Sequence, residues 1–448
     1  MSSNTFRAKQ LKNIGFWVTA LSIYSILPFS NSFILDFIYN TTFWWLISTF
    51  ILYQLWVWKK YFFKKTDAAR GIITVNVFLW WMMFNIVRGL FIAHTYWDWK
   101  GLVSNAMALL LPLAVYSAVS LEYTQNIMKY YIKYALPLFI LIFPLSIHAD
   151  LGFYLVPITL ILLFLSTLEF KWKVSIAAIA IITIIIGLAV RSNVIRFSVA
   201  ILLSNIYYFR RFISLHFIKA LMYVLFAAPI IFLFLGVFSN FNVFDFQNYI
   251  SGDYSVKTDK NEKGGVSEQS LLSDSRTFIY RDALQTASYY NSWLIGRSPA
   301  RGTISSAFAE TDLNKRGERL ANEVGISNIF TWTGIVGVIL YFFVFFRASY
   351  TAIYKSGNNI FAKILGLYIA FHWVYSWVEN FTNFTMNYFM IWVMIGLCFS
   401  TQFRQMTNQQ VKVWVRGIFN VRYRRRRLPP YVIKNSQSEI SSDLDYNG

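Results

Sequence analysis

The run WKVSIAAIAIITIIIGLAV, residues 172–190, carries one charge, Lys173, and leads directly into Arg191-Ser192-Asn193-Val194-Ile195-Arg196. Nineteen helical residues reach about 28 Å, close to the thickness of a bilayer's hydrocarbon core. Such a run predicts a membrane span, and it is not alone. Comparable apolar stretches lie at 14–34, 42–58, 72–93, 101–120, 127–147, 151–168, 193–209, 217–239, 326–346, 360–378 and 384–401. The composition agrees: 56% of residues are hydrophobic and 14% charged, against about a quarter charged in a soluble domain. The expected fold is therefore an all-α integral membrane protein of about 12 transmembrane helices.

Its organisation is read as a short N-terminus (1–13), a nine-helix bundle (14–239), a long polar loop (240–325), three further helices (326–401) and a basic tail (402–448). The first apolar run lacks a small-residue cleavage site and continues into a full span, so it is read as a helix rather than a signal peptide. A net charge of +20 would point to nucleic acid in a soluble protein, but here it orients the chain. Basic residues recur in every second connection, at Lys59 to Arg70, Lys129 and Lys133, Lys171 and Lys173, Arg210 to Lys219, Arg347 and Lys355, and Arg422 to Arg427. The loops around Asp36, Asp98, His148 and Asn380 are nearly free of them. Both termini and the basic loops are expected in the cytoplasm, and the 240–325 loop outside.

Two outside segments break the charge rule. A long loop translocates whatever its charge, so Arg276, Arg281, Arg297, Arg301, Arg316 and Arg319 are no obstacle. Arg191 and Arg196 in a short turn are different, since an arginine at that depth needs a partner in protein, lipid headgroup or ligand. In the long loop, 252–269 reads as a polar linker. Phe278, Leu284 and Ala287 then recur at helical spacing behind a Ser273/Asp274 cap, predicting an amphipathic helix over 275–290 that carries Arg276 and Arg281. Gly296-Arg297-Ser298-Pro299 ends it with a turn. Residues 411–423 alternate apolar and basic side chains, which suits a segment lying on anionic lipid. No internal repeat is evident. The single cysteine, Cys398, cannot form an intramolecular disulfide, the four histidines lack ligand spacing, and no metal or other cofactor is expected.

Polar residues at the membrane edge carry the functional signal. Arg88, near the outer end of the third run, can reach headgroups or wall an anion site. His372 can be a packing residue or a site residue with Glu379 at the end of its helix. Glu323 can pair with Arg316 or Arg319, or serve as a general base at the mouth of a basic cavity. Several arginines without metal ligands suit a diphosphate, because guanidinium forks bind phosphate oxygens and stay charged. On an outer membrane face, a diphosphate arrives on a lipid. Polyprenyl diphosphate sugars are such donors.

Ser275-Arg276-Thr277-Phe278-Ile279-Tyr280-Arg281-Asp282-Ala283-Leu284, followed by Leu294-Ile295-Gly296, resembles a run in the outer loop of the bacterial O-antigen ligase and polymerase family. Glu323-Val324, nine residues, then Gly334-Ile335-Val336-Gly337 is similar to that family's junction motif, and Arg191 and Arg196 resemble its arginines at the outer end of a span. The resemblance covers roughly 185–345. It implies a C-superfamily-like membrane glycosyltransferase, metal-independent and inverting. It also implies Glu323 as the catalytic residue, Arg191, Arg196, Arg276 and Arg88 around the donor diphosphate, and Arg281, His372 and Glu379 as secondary candidates. Glu323 stands where ligases have histidine and Val324 where they have a polar residue, which favours a polymerase over a ligase that delivers glycan to lipid A core. A lipid-linked oligosaccharide flippase or other transporter stays open as a different class. The expected setting is the bacterial inner membrane. Expected partners are a polyprenyl diphosphate-linked glycan donor, a glycan acceptor, lipids under the basic tail and other polysaccharide-export proteins, with no nucleic acid.

Overall fold

The computed structural model describes residues 3–27, 40–145, 151–189, 191–238, 255–259, 266–270, 276–305 and 317–425. The principal helices are α1 (Ser3–Tyr24), α2 (Thr41–Phe62), α3 (Ile73–Ile92), α4 (Tyr96–Leu110), α5 (Leu121–Tyr130), α6 (Val156–Leu163), α7 (Phe170–Ile186), α8 (Arg191–Asn205) and α9 (Leu215–Phe238). They continue as α10 (Arg276–Tyr289), α11 (Gly325–Tyr354), α12 (Ile360–Tyr375), α13 (Met386–Phe399) and α14 (Asn408–Phe419). Polar caps set several of their starts. Asn40 Oδ1 accepts from the amides of Thr42 and Phe43 ahead of α2, and Thr95 with Asp98 forms a capping box on α4. Asn359 and Thr385 cap α12 and α13 in the same way, giving the first orphan amides a side-chain acceptor.

Every residue of α13 is buried, and α12 is nearly so, with α11 packed beside them. Around this centre the outer helices bury one stripe and leave large apolar side chains exposed: Trp80 and Phe91 on α3, Ile185 on α7, Phe217 and Phe234 on α9. A water-soluble monomer does not expose apolar surface on this scale, whereas a bilayer covers it. Four helical stretches, Arg70–Ile92, Tyr96–Ala118, Leu215–Leu235 and Gly325–Tyr354, are long and apolar enough to cross a membrane. Among the other helices α1 and α2 run 22 residues each, while Pro144 and Pro157 lie at breaks in the 136–163 stretch where an interior amide would have been needed.

The connections sort to two ends. Ala69 donates its amide to the Phe399 carbonyl, Asn359 Nδ2 to that of Phe403, Trp414 Nε1 to that of Leu121 and Arg416 Nε to that of Thr167. The basic loops thus meet at one end, gathered by α14. The amphipathic periodicity of α14 buries Val411, Trp414, Val415 and Ile418 against the bundle, so its apolar face is turned to protein and not, as the sequence suggested, to lipid. The sequence could not distinguish the two, since either partner selects the same apolar stripe. Arg424 to Arg427 lie outside the residues whose side chains are described, as do Arg316, the loops at Asp36 and His148 and the Ser273/Asp274 cap.

The polar loop also differs in one part from its reading. Within 252–269, where a linker was expected, Ser255–Asp259 (β1) and Val266–Ser270 (β2) pair antiparallel, Lys257 opposite Glu268. The β-branched residues Val256, Thr258 and Val266 favour the extended backbone. A second short pair, Thr303–Ile304 (β3) with Glu318–Arg319 (β4), lies against α10. The helix expected over 275–290 is α10.

Candidate functional site

The end opposite the basic loops is framed by a break in α11. Gly334 sits at φ 69°, a conformation open to glycine, and interrupts the helix. Segment 292–298 enters the break. Arg297 and Ser298 donate their amides to the carbonyls of Thr331 (2.7 Å) and Trp332 (3.1 Å), while Ile335 donates to the carbonyl of Trp293 (2.8 Å). Gly296, at φ 67°, packs on Gly334 so closely that an added Cβ would lie 2.5 Å from the Gly334 amide nitrogen. The two glycine motifs that carried the family resemblance are therefore one contact. Two recessed ion pairs hold the loop around it, Arg297 with Glu318 at 2.8 Å and Arg301 with Asp98 at 3.2 Å.

Arg196 lies in the second turn of α8 and is fully buried. Its Nη2 donates to Tyr375 Oη at 2.9 Å, and the Tyr375 hydroxyl donates to the carbonyl of Ser192 at 2.9 Å. Its Nε and Nη1 have no hydrogen-bond partner among the described residues. His372, one turn before Tyr375 on α12, is also buried, with neither ring nitrogen hydrogen-bonded among the described residues, and its ring meets those of Tyr368 and Tyr375 edge-on. The rings of Tyr375 and Phe153 lie against the guanidinium and the Glu379 carboxylate acts on it from nearby, yet a charge so far removed from water with two donors open has room for a further anionic acceptor.

The turn after α12 joins this core to the loop. Its carbonyls cap α11: Gly325 donates to Glu379 O at 3.1 Å and Ile326 to Ser376 O at 2.9 Å. Helix α10 grips the same turn through two residues one turn apart. Arg276 Nε donates to Val378 O at 2.6 Å and Tyr280 Oη to Trp377 O at 2.5 Å. Arg276 Nη2 also lies 3.9 Å from Glu379 Oε2. Burial pushes the Glu379 carboxyl up to about 7; Arg196, Arg276 and a hydrogen bond from Ser192 oppose the rise, and the charge of Glu323 adds to it. Arg191, at the start of α8, faces Arg276 closely enough for the two to repel. Five residues from four elements thus act on one another, three arginines and two carboxylates. A carboxyl poised near neutrality beside guanidinium groups can exchange a proton and hold an anion in one place.

The sequence-predicted residues divide as follows. Arg191, Arg196, Arg276, Glu323 and Glu379 come together, with His372 beneath them. Glu323 is 54% exposed on its side chain and pairs with Arg319 at 3.1 Å, so it stands at the rim while Glu379 is recessed. Arg88 goes elsewhere: its Nη2 donates to Gly296 O at 2.9 Å and holds the inserted segment. Arg281 is exposed and lies over the Phe278 ring. Tyr375, Ser192 and Tyr280 were not foreseen. The spacing His372, Tyr375, Glu379 sets all three on one face of a helix and its continuation, a signal that was present. Compared with models of protein families and with curated proteins, the chain matches none.

Proposed function

We propose that this chain is a glycan polymerase of a bacterial inner membrane, with about 12 spans, both termini cytoplasmic and the site on the outer face. It joins polyprenyl diphosphate-linked oligosaccharide repeat units. Arg191, Arg196 and Arg276 hold the donor diphosphate. The acceptor hydroxyl, oriented by Glu323, loses its proton to Glu379 as its oxygen bonds to the anomeric carbon. The bond from that carbon to the diphosphate breaks, and the electron pair leaves on the polyprenyl diphosphate, whose growing charge the guanidinium groups offset.

The observation that carries this reading is Arg196, fully buried, with Nε and Nη1 unpartnered among the described residues, beside a carboxyl whose pKa burial raises to about 7. A site built to bind an anion and accept a proton needs both. The surface glycans of cells lacking the protein test it. Loss of a polymerase leaves single repeat units on the surface. Long polymer stranded on the carrier lipid would make the protein a ligase, and repeat units trapped inside the cell would make it a flippase.

A further inference from the structure

Segment 292–298 has a property that a water-exposed turn does not need. The broken helix supplies four of its backbone bonds, to Thr331, Trp332, Ile335 and from the Val336 amide to Leu294 O; Gly296 also donates to Ser292 O, and Arg88 on α3 holds Gly296 O. Its side chains do the opposite. Leu294 is 67% exposed and Ile295 43%, with Trp293 and Tyr289 also outward. Non-helical backbone survives at membrane depth only where its polar groups find protein partners, and here the carbonyls of Trp293, Leu294 and Gly296 and the amides of Gly296, Arg297 and Ser298 have them.

The depth follows from α11. Gly334 is twenty residues from Tyr354, about 30 Å along the helix, or the full thickness of a hydrocarbon core. Taking the inner boundary at Lys355 therefore puts Gly334 at the outer boundary. Taking it at Arg347 puts Gly334 about 10 Å inside. Either way Trp293 to Ile295 meet acyl chains or their edge. The exposed apolar faces beside them, Ile335 and Ile339 on α11 and Leu90 and Phe91 on α3, continue the same surface.

We infer that Tyr289 to Ile295 is seated in the outer leaflet, with lipid acyl chains as its partner. The aromatic residues lie at the headgroup level and Leu294 and Ile295 below it. The segment pins the polar loop to the bilayer beside α10, which keeps Arg276 at the height where a lipid-borne diphosphate would sit. The inference rests on the chain's spanning a membrane and is independent of the reaction proposed.

Nitroxide labels on Leu294→Cys and Ile295→Cys in lipid nanodiscs test it, with Ile231→Cys on the exposed face of α9 as a lipid reference and Gln285→Cys on α10 as a water reference. The native Cys398 is buried and will not compete. Labels at 294 and 295 are expected to collide with dissolved oxygen several-fold more than with a water-soluble nickel chelate, as at 231, and the label at 285 the reverse. Labels at 294 and 295 that behave like 285 would overturn the inference while leaving the membrane bundle intact. Protection from both reagents would overturn it too, assigning the patch to a second protein surface. Chelate access at 231 would overturn both the inference and the membrane reading.

Discussion

Arg196 and Tyr375 join two helices deep in the bundle, Nη2 to Oη at 2.9 Å, and the same hydroxyl fastens the first turn of α8 through Ser192. One tyrosine thus orients the guanidinium and fixes its backbone, and Glu379 lies four residues further along the chain. The arrangement makes the arginine's direction, not only its charge, a product of the fold.

Lysine at 191, 196 or 276 keeps the charge and loses the fork. Each replacement removes charged hydrogen bonds that contribute about 1.5 to 3 kcal/mol, so turnover is expected to fall by roughly tenfold or more. Arg281→Lys, on an exposed arginine apart from the cluster, is expected to leave the rate unchanged. Equal rates in all four variants, measured on purified protein, would remove the anion site.

The pH profile separates the two carboxylates. A base held at about 7 is protonated below that pH, so the rate is expected to rise about tenfold per unit from acid pH and level off above 7. Glu379→Gln cannot take the proton and should lose both the rise and most of the rate. Glu323→Gln should keep the rise at a reduced rate, because its part is to orient the acceptor. A profile that survives Glu379→Gln and disappears in Glu323→Gln would exchange their roles.

Much of this was legible in the chain. Apolar run length gave an all-α chain with four stretches long and apolar enough to cross a membrane, and the alternation of basic connections anticipated the end at which they meet. Arg191 and Arg196 were singled out because a charge at membrane depth is rare, and Arg276 through the family resemblance of its run. Arg88 was singled out for the same reason, yet its partner is the backbone of Gly296, 208 positions away, which no local pattern encodes. Burial was equally hidden for the carboxylates. Glu323 and Glu379 look alike in sequence, and only the packing of α10 over the turn recesses one and leaves the other at the rim.

The contact between the inserted segment and the helix break is expected to be intolerant of side chains. A Cβ at Gly334 would lie 2.2 Å from Leu294 O, whereas one at Gly317, also at positive φ, meets nothing within 4 Å. Gly317→Ala should cost only backbone strain, about 1 to 2 kcal/mol. Gly334→Ala and Gly296→Ala add a backbone clash and should lower the melting temperature of the purified protein distinctly further. Equal shifts at all three positions would mean that the insertion is loose.

Topology can be read with the sole native cysteine in place, because Cys398 is buried. Gln285→Cys on α10 is expected to react with an impermeant thiol reagent in intact spheroplasts, and Gln409→Cys on α14 only after the membrane is opened. The reverse pattern would put the arginine cluster in the cytoplasm and end the case for an externally presented donor.

The most direct measurement gives the purified protein, in vesicles, a polyprenyl diphosphate-linked repeat unit as its only glycan substrate and follows the products. A ladder of lengthening lipid-linked glycan is expected, with one free polyprenyl diphosphate released per unit added and neither product formed by Arg196→Lys together with Glu379→Gln. Repeat units that cross the bilayer unchanged, or that remain single while wild-type protein is folded and present, would contradict polymerisation.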